Sequence, residues 1–264
     1  MEQIFAFDAA SLTSFLLTLV RVSLVVFLLP FYGGDNIPMA AKGALCLVLT
    51  MALWPHLSFD GRLFPPHPLG MAVMLLGEAL MGLLLGLCVH VIFAGIQTGG
   101  QALGFQMGFT MVNVIDPASG QQTSVTTQLL YMIALLCFLA LDGHLYLLQA
   151  LAATFAHIPP GGLLIRSLLV TDIIALSANM FILAVKVAAP VLVSLFMIEL
   201  ALALMARAAP QMNLLMIGMP LKIAVGFFFM SLIFALLAQQ MHDAVISLHP
   251  MFRHMLRLGM PGTL

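Results

Sequence analysis

The sequence predicts an all-α, polytopic integral membrane protein, and three observations carry that prediction. Of its 264 residues, 62% are hydrophobic and only 7% charged, against roughly a quarter charged in a soluble domain. The mean hydropathy of +1.14 is more than one buried core explains, because a soluble domain keeps polar and charged groups over a large outer surface. Apolar runs recur near residues 10–31, 38–57, 69–96, 128–156, 173–206 and 214–240, each close to or above the ~20 residues a helix needs to cross a bilayer. No linker is long or polar enough to separate two domains, so residues 1–264 read as one membrane domain with six hydrophobic helical segments.

The first run follows Glu2 and Asp8 with no basic leader region and no small-residue cleavage site after Pro30, so it reads as a retained segment. Tyr32-Gly33-Gly34-Asp35 and Pro38 turn the chain into the second run, and Asp60-Gly61 with Pro65-Pro66 leads into the third. The third run ends in a glycine series: Gly95 and Gly99, then Gly100, Gly104 and Gly108, at intervals of four. Small residues at i and i+4 form a smooth helix face that a second backbone can approach closely. A flexible, poorly helical stretch is the other reading, since each Gly disfavours helix.

From Val112 to Gln128 the chain reads VNVIDPASGQQTSVTTQ, polar yet almost uncharged, between two very apolar runs. Lipid cannot surround such a stretch, which leaves a solvent loop or part of a pore. Asp116-Pro117 has the form of a helix start, Asp as N-cap and Pro at the first helical position. Just before it Phe105, Met107, Phe109 and Met111 alternate among glycines. On spacing alone the loop reading is preferred to the gate reading.

Pro159-Pro160-Gly161-Gly162 and Ala209-Pro210 bound the fifth run. At 1.5 Å per residue it would reach about 50 Å against a hydrocarbon core of about 30 Å. Pro190 lies within it, removing one donor and clashing with the carbonyl of Lys186, so a kinked helix or a helical hairpin is expected.

Arg21, Glu78, Lys186, Glu199 and Lys222 lie inside apolar runs, where each charge costs roughly 2.5–3.5 kcal/mol to insert. They are scattered and no carboxylates cluster, which favours pairing between helices or subunits over an ion pathway. Glu199 and Arg207, eight apart, share a helix face without touching. If all six runs span, Arg62, Arg166, Arg253 and Arg257 lie on the side of both termini and Lys42 and Arg207 near the other, which places the termini in the cytoplasm. The 20 methionines, with Met205, Met212, Met216 and Met219 close together, read as filler at helix interfaces in preference to a conformable seal.

Cys46, Cys88 and Cys137 sit in apolar runs and read as small apolar side chains, while His242, His249 and His254 match no metal-ligand spacing. No hydrolase, metalloprotease or phosphate-loop motif occurs, and a net charge of -1 without a basic stripe leaves nucleic acid no footprint. The expectation is a protein without catalysis, metal or cofactor.

Three strings in order, GFQMGFTMVNVIDPASGQQTSV from Gly104, DGHLYL from Asp142 and ARAAPQMNLLMIGMPLKIAVG from Ala206, resemble the FliR family of flagellar biosynthesis proteins. Arg21, Pro30, Pro38 and Lys42 extend the resemblance to nearly the whole chain. Export-gate subunits of virulence injectisomes share the family's fold, but the Asp116-Pro117 string is closer to the flagellar branch.

The resemblance implies a structural subunit of the type III export gate in the bacterial inner membrane, at the flagellar basal body. FliP and FliQ are the implied partners in a ring-like, protein-conducting channel, with FlhB and FlhA as further partners and flagellar proteins as cargo. Some hydrophobic runs would then pack on partners in place of lipid, and energy would come from the family's ATPase complex and the proton-motive force.

By the same resemblance residues 104–127 match the plug loop that closes the pore, and the gate reading displaces the loop reading. Gly104, Phe105, Met107, Gly108, Phe109 and Met111 are then the expected closing residues, with Asp116 and Pro117 marking the loop's end. Gly95, Gly99 and Gly100 are expected at helix packing, and Arg21, Lys42, Glu78, Lys186, Glu199, Arg207 and Lys222 at subunit contacts or as intramembrane charges. The chain departs from the family at Gly100, where an acidic residue is common, and at Asp142, where Asn is common. A secondary transporter is the competing reading; it would need clustered carboxylates and matching broken helices, and the break read here is the one at Pro190 in the fifth run, with no matching half.

Overall fold

The computed structural model describes residues 9–32, 37–56, 67–109, 124–158, 167–209, 211 and 214–259. Among these are eight α-helices and no strand: α1 (Ala9–Leu28), α2 (Met39–Leu53), α3 (Pro68–Met107), α4 (Val125–Ala140), α5 (Gly143–His157), α6 (Ser167–Ala208), α7 (Leu214–Leu232) and α8 (Phe234–Gly259). A 3-10 turn, Trp54–His56, closes α2. Among the described residues α1, α3 and α6 are long and apolar enough to cross a membrane, and counting the bent pairs α4–α5 and α7–α8 as one span each gives five. The fold is that of a polytopic helical membrane protein.

Several expected boundaries move, each for a local reason. Gly95, Gly99, Gly100 and Gly104 do not break the third run, which stays helical to Met107 with these glycines packed against other helices, and Gly108 ends it. The fourth run divides into α4 and α5, bent by 63°. Asp142 between them has φ +55, a left-handed conformation that a short polar side chain tolerates and a β-branched one does not. The fifth run is one helix with Pro190 inside it, not a hairpin. The Ser194 hydroxyl donates to the Pro190 carbonyl at 2.8 Å. The sixth run divides at Ile233, with α7 and α8 meeting at 49°. On α8, Leu237, Met241, Val245, Leu248 and Phe252 are buried while Gln239, His242 and Asp243 are exposed, so this helix is amphipathic.

The chain forms two compact units. One comprises Met1–His90, Asp142–Leu176 and Ile246–Leu264. Here α1 and α2 form a hairpin, with the Trp54 indole N–H donating to Ser14 at 2.8 Å and Phe15 edge-on to its ring. A Cβ on Gly82 would lie 2.7 Å from the Arg21 carbonyl, and one on Gly86 would overlap Leu28. Backbone contact this close needs glycine on α3.

The other unit comprises Val91–Leu141 and Ser177–Val245. Phe93 lies edge-on to Tyr131 and Phe138. Gly95 and Gly99 face the carbonyls of Met180 and Ala184 on α6, at 2.8 and 2.9 Å from their would-be Cβ atoms. Gly100 faces the Thr127 backbone of α4 at 2.7 Å on the same measure, and Gly104 faces Ser124 and Thr126. The sequence spacing suggests one smooth face; the helix turns about 100° per residue, so the two glycine pairs serve two different neighbours.

Candidate functional site at the end of helix α3

The polar stretch follows the C-terminus of α3 in the sequence. Gly108, at φ +88, ends the helix in a Schellman motif: its N–H donates to the Phe105 carbonyl at 3.1 Å and the Phe109 N–H to the Gly104 carbonyl at 3.0 Å. The pattern satisfies two carbonyls that the helix end would otherwise leave open, and its positive φ favours glycine.

The same turn of α3 meets the far end of the stretch. Ser124 is the N-cap of α4, its hydroxyl accepting from the Thr127 N–H at 3.2 Å. The Thr126 hydroxyl donates to the Gly100 carbonyl at 2.9 Å. Ser124 also lies where a Gly104 side chain would be, so Phe109 and Ser124, the described residues on either side of 110–123, both lie at the last turns of one helix.

Two residues at this end dock on α7. Met107 is 1% exposed and fills the notch left by Gly226, whose Cβ would fall 2.7 Å from the Met107 methyl carbon. Phe109 lies edge-on to Phe227, with ring centroids 6.1 Å apart. Phe105 is 72% exposed. The four bulky residues expected to close a pore therefore divide. Met107 is a core anchor, because the helix turn that exposes Phe105 carries Met107 inward, and Phe109 leans on α7. Met111, Asp116 and Pro117 lie outside the described residues.

A polar cluster joins this end to α6 and α7. The Gln106 amide donates to Glu199 Oε2 at 2.7 Å and the Lys222 ammonium to Glu199 Oε1 at 2.8 Å. The Lys222 and Glu199 side chains are 20% and 49% exposed. Arg207 and Lys186 are also exposed on α6, and Lys42 is buried on α2.

The other pair is dry. Arg21 and Glu78 are 0% and 1% exposed and pair bidentately, at 2.6 and 2.9 Å. The remaining guanidinium donors reach Thr154 Oγ1 and the Ile158 carbonyl, and the Phe155 ring lies 4.2 Å from the guanidinium carbon. This cluster ties α1, α3 and the end of α5 within the first unit.

Sequence reading missed Gln106, Gly226, Ser124, Thr126 and Thr154. A glutamine in a helix and a glycine in an apolar run carry no signal of their partner. The Ser124 cap is local, to Thr127, and a serine just before an apolar run is its signal; the contacts of the others join residues far apart in the chain. Among the described residues no three His, Cys, Asp or Glu side chains converge as metal ligands.

Fold and site together define a helical integral membrane protein with a polar segment pinned at both ends to one long helix. Residues 12–248 match the family described as Bacterial export proteins, family 1, and the chain belongs to that family. It is 36% identical over 223 residues to "Flagellar biosynthetic protein FliR" of Bacillus subtilis (strain 168), covering 81% of this chain and 83% of that protein. To the protein of the same name from Escherichia coli (strain K12) it is 32% identical, covering 83% and 84%. "Surface presentation of antigens protein SpaR" of Salmonella typhimurium is 29% identical, covering 81% and 80%. The chain is a bacterial export protein of the flagellar biosynthetic kind.

Proposed function

We propose that the chain is a structural, non-catalytic subunit of the flagellar type III export gate. It acts in the inner membrane at the basal body, with FliP and FliQ as assembly partners and FlhB and FlhA as neighbours. The observation that supports a gating role is the end of α3. A glycine-terminated helix there launches a polar, nearly uncharged segment whose return point is pinned beside its origin.

Such a segment can close an aqueous passage because it exposes few charges to desolvate. On this reading residues 104–127 include the plug and its roots. Phe105, exposed, and Met111 supply the seal, while Met107 and Phe109 hold the root on α7. Gly108 supplies the turn, and Asp116-Pro117 marks the end of the loop.

The flagellar relatives at 36% and 32% identity support the flagellar apparatus as the setting. The test is ion leak across the inner membrane of cells carrying the assembled gate. Phe105→Ala combined with Met111→Ala should raise the leak several-fold, and unchanged conductance would overturn the plug assignment.

A further inference from the structure

We infer that Gln106, Glu199 and Lys222 form a releasable latch, a set of positioning residues that holds the root of the plug against α6 and α7. The inference rests on the proposed plug and adds the device that sets its closed position. Three observations carry it.

The first is placement. Gln106 is the penultimate residue of α3, next to the buried anchor Met107 and two before the turn at Gly108. Glu199 takes a donor from each of two other helices, one on each carboxylate oxygen, at 2.7 and 2.8 Å. The second is register. Lys222 and Gly226 are four apart on α7, hence on one face, so latch and anchor form one strip, and sliding α3 past α7 breaks both.

The third is wetness. With Lys222 20% and Glu199 49% exposed, water or polar groups of another subunit can replace each bond as it opens, and such pairs fix geometry while adding little stability. The Arg21–Glu78 pair has no such exchange partner and is a permanent tie. Charges left in lipid are costly, so the surface carrying Glu199 faces water or polar groups of another subunit. That is the setting in which a latch can open.

The test uses the assembled gate in its native membrane. Gln106→Ala, Glu199→Gln and Lys222→Met should each raise ion leak several-fold. Glu199→Lys combined with Lys222→Glu, which restores the pair with its sign reversed, should bring the leak back toward the unaltered level. In the purified complex, amide exchange at Gly104–Phe109 should quicken in the single variants and slow again in the swap. If Phe105→Ala with Met111→Ala leaks while the latch variants neither leak nor exchange faster, the latch is wrong and the plug stands. If neither set leaks, the plug assignment falls and the latch with it. If all three single variants abolish the complex, the cluster is a folding element and the latch is equally overturned.

Discussion

Arg21 uses all five of its N–H donors on Glu78, Thr154 and the Ile158 carbonyl while fully buried. Removing one member of such a pair leaves a desolvated charge, which costs about 3–5 kcal/mol. Arg21→Met or Glu78→Gln should therefore lower the thermal midpoint of the detergent-solubilised complex sharply. Arg21→Met together with Glu78→Leu should recover part of the loss, because the apolar pair leaves no buried charge, while the Ile158 carbonyl still loses its Arg21 donors; a double variant no better than the singles would contradict this. The sequence signalled that Arg21 needed company, since a charge in an apolar run is expensive. It did not identify Glu78, 57 residues away, because Glu199 was an equally available carboxylate. The burial of Met107 against Gly226 was illegible for a related reason: a methionine beside a glycine looks the same whether it faces a lumen or a neighbouring helix.

At the scale of the element, α3 is apolar on every side, so periodicity revealed its existence and not its facing. Its glycines say more, because each marks a close neighbour. A Gly100→Ala side chain would lie 2.7 Å from the Thr127 Cα, a backbone atom that cannot swing away, and should destabilise by about 1–3 kcal/mol. Gly43→Ala, with nothing within 4 Å inside the chain, should be neutral or stabilising by up to about 1 kcal/mol through helix propensity. Thermal denaturation of the two variants checks the contrast, and equal losses would refute the packing account. At the α4–α5 corner, Asp142→Asn should be tolerated and Asp142→Val should cost about 1–2 kcal/mol, since φ is +55 there. The yield of folded protein after extraction reads that difference. The bend itself was illegible: an unbroken apolar run from 128 to 156 reports burial, and only the backbone angle at one residue divides it.

Across the whole molecule, many large apolar side chains of the described residues are exposed. In its most apolar window α6 is 28% buried, against 56% for α3. Phe181, Val185, Val193, Phe196, Met197, Leu200 and Leu204 are exposed along it. Large apolar faces mark what another surface covers, and in the proposed gate partner subunits share that covering with lipid. The chain made without its partners should therefore accumulate poorly, and co-expression with FliP and FliQ should raise its level; equal accumulation would count against dependence on partners. Class and approximate helix positions were legible because composition and run length report the solvent directly. The latch and the Arg21 cluster were not, because they join residues the sequence keeps far apart. The central claim, that this chain is a structural part of a larger export gate, is tested most directly by tagging it at its native locus, extracting it in mild detergent and weighing the intact particle by native mass spectrometry. One large hetero-oligomer containing FliP and FliQ homologues is expected; a monomer or homodimer under conditions that preserve other membrane complexes would contradict it.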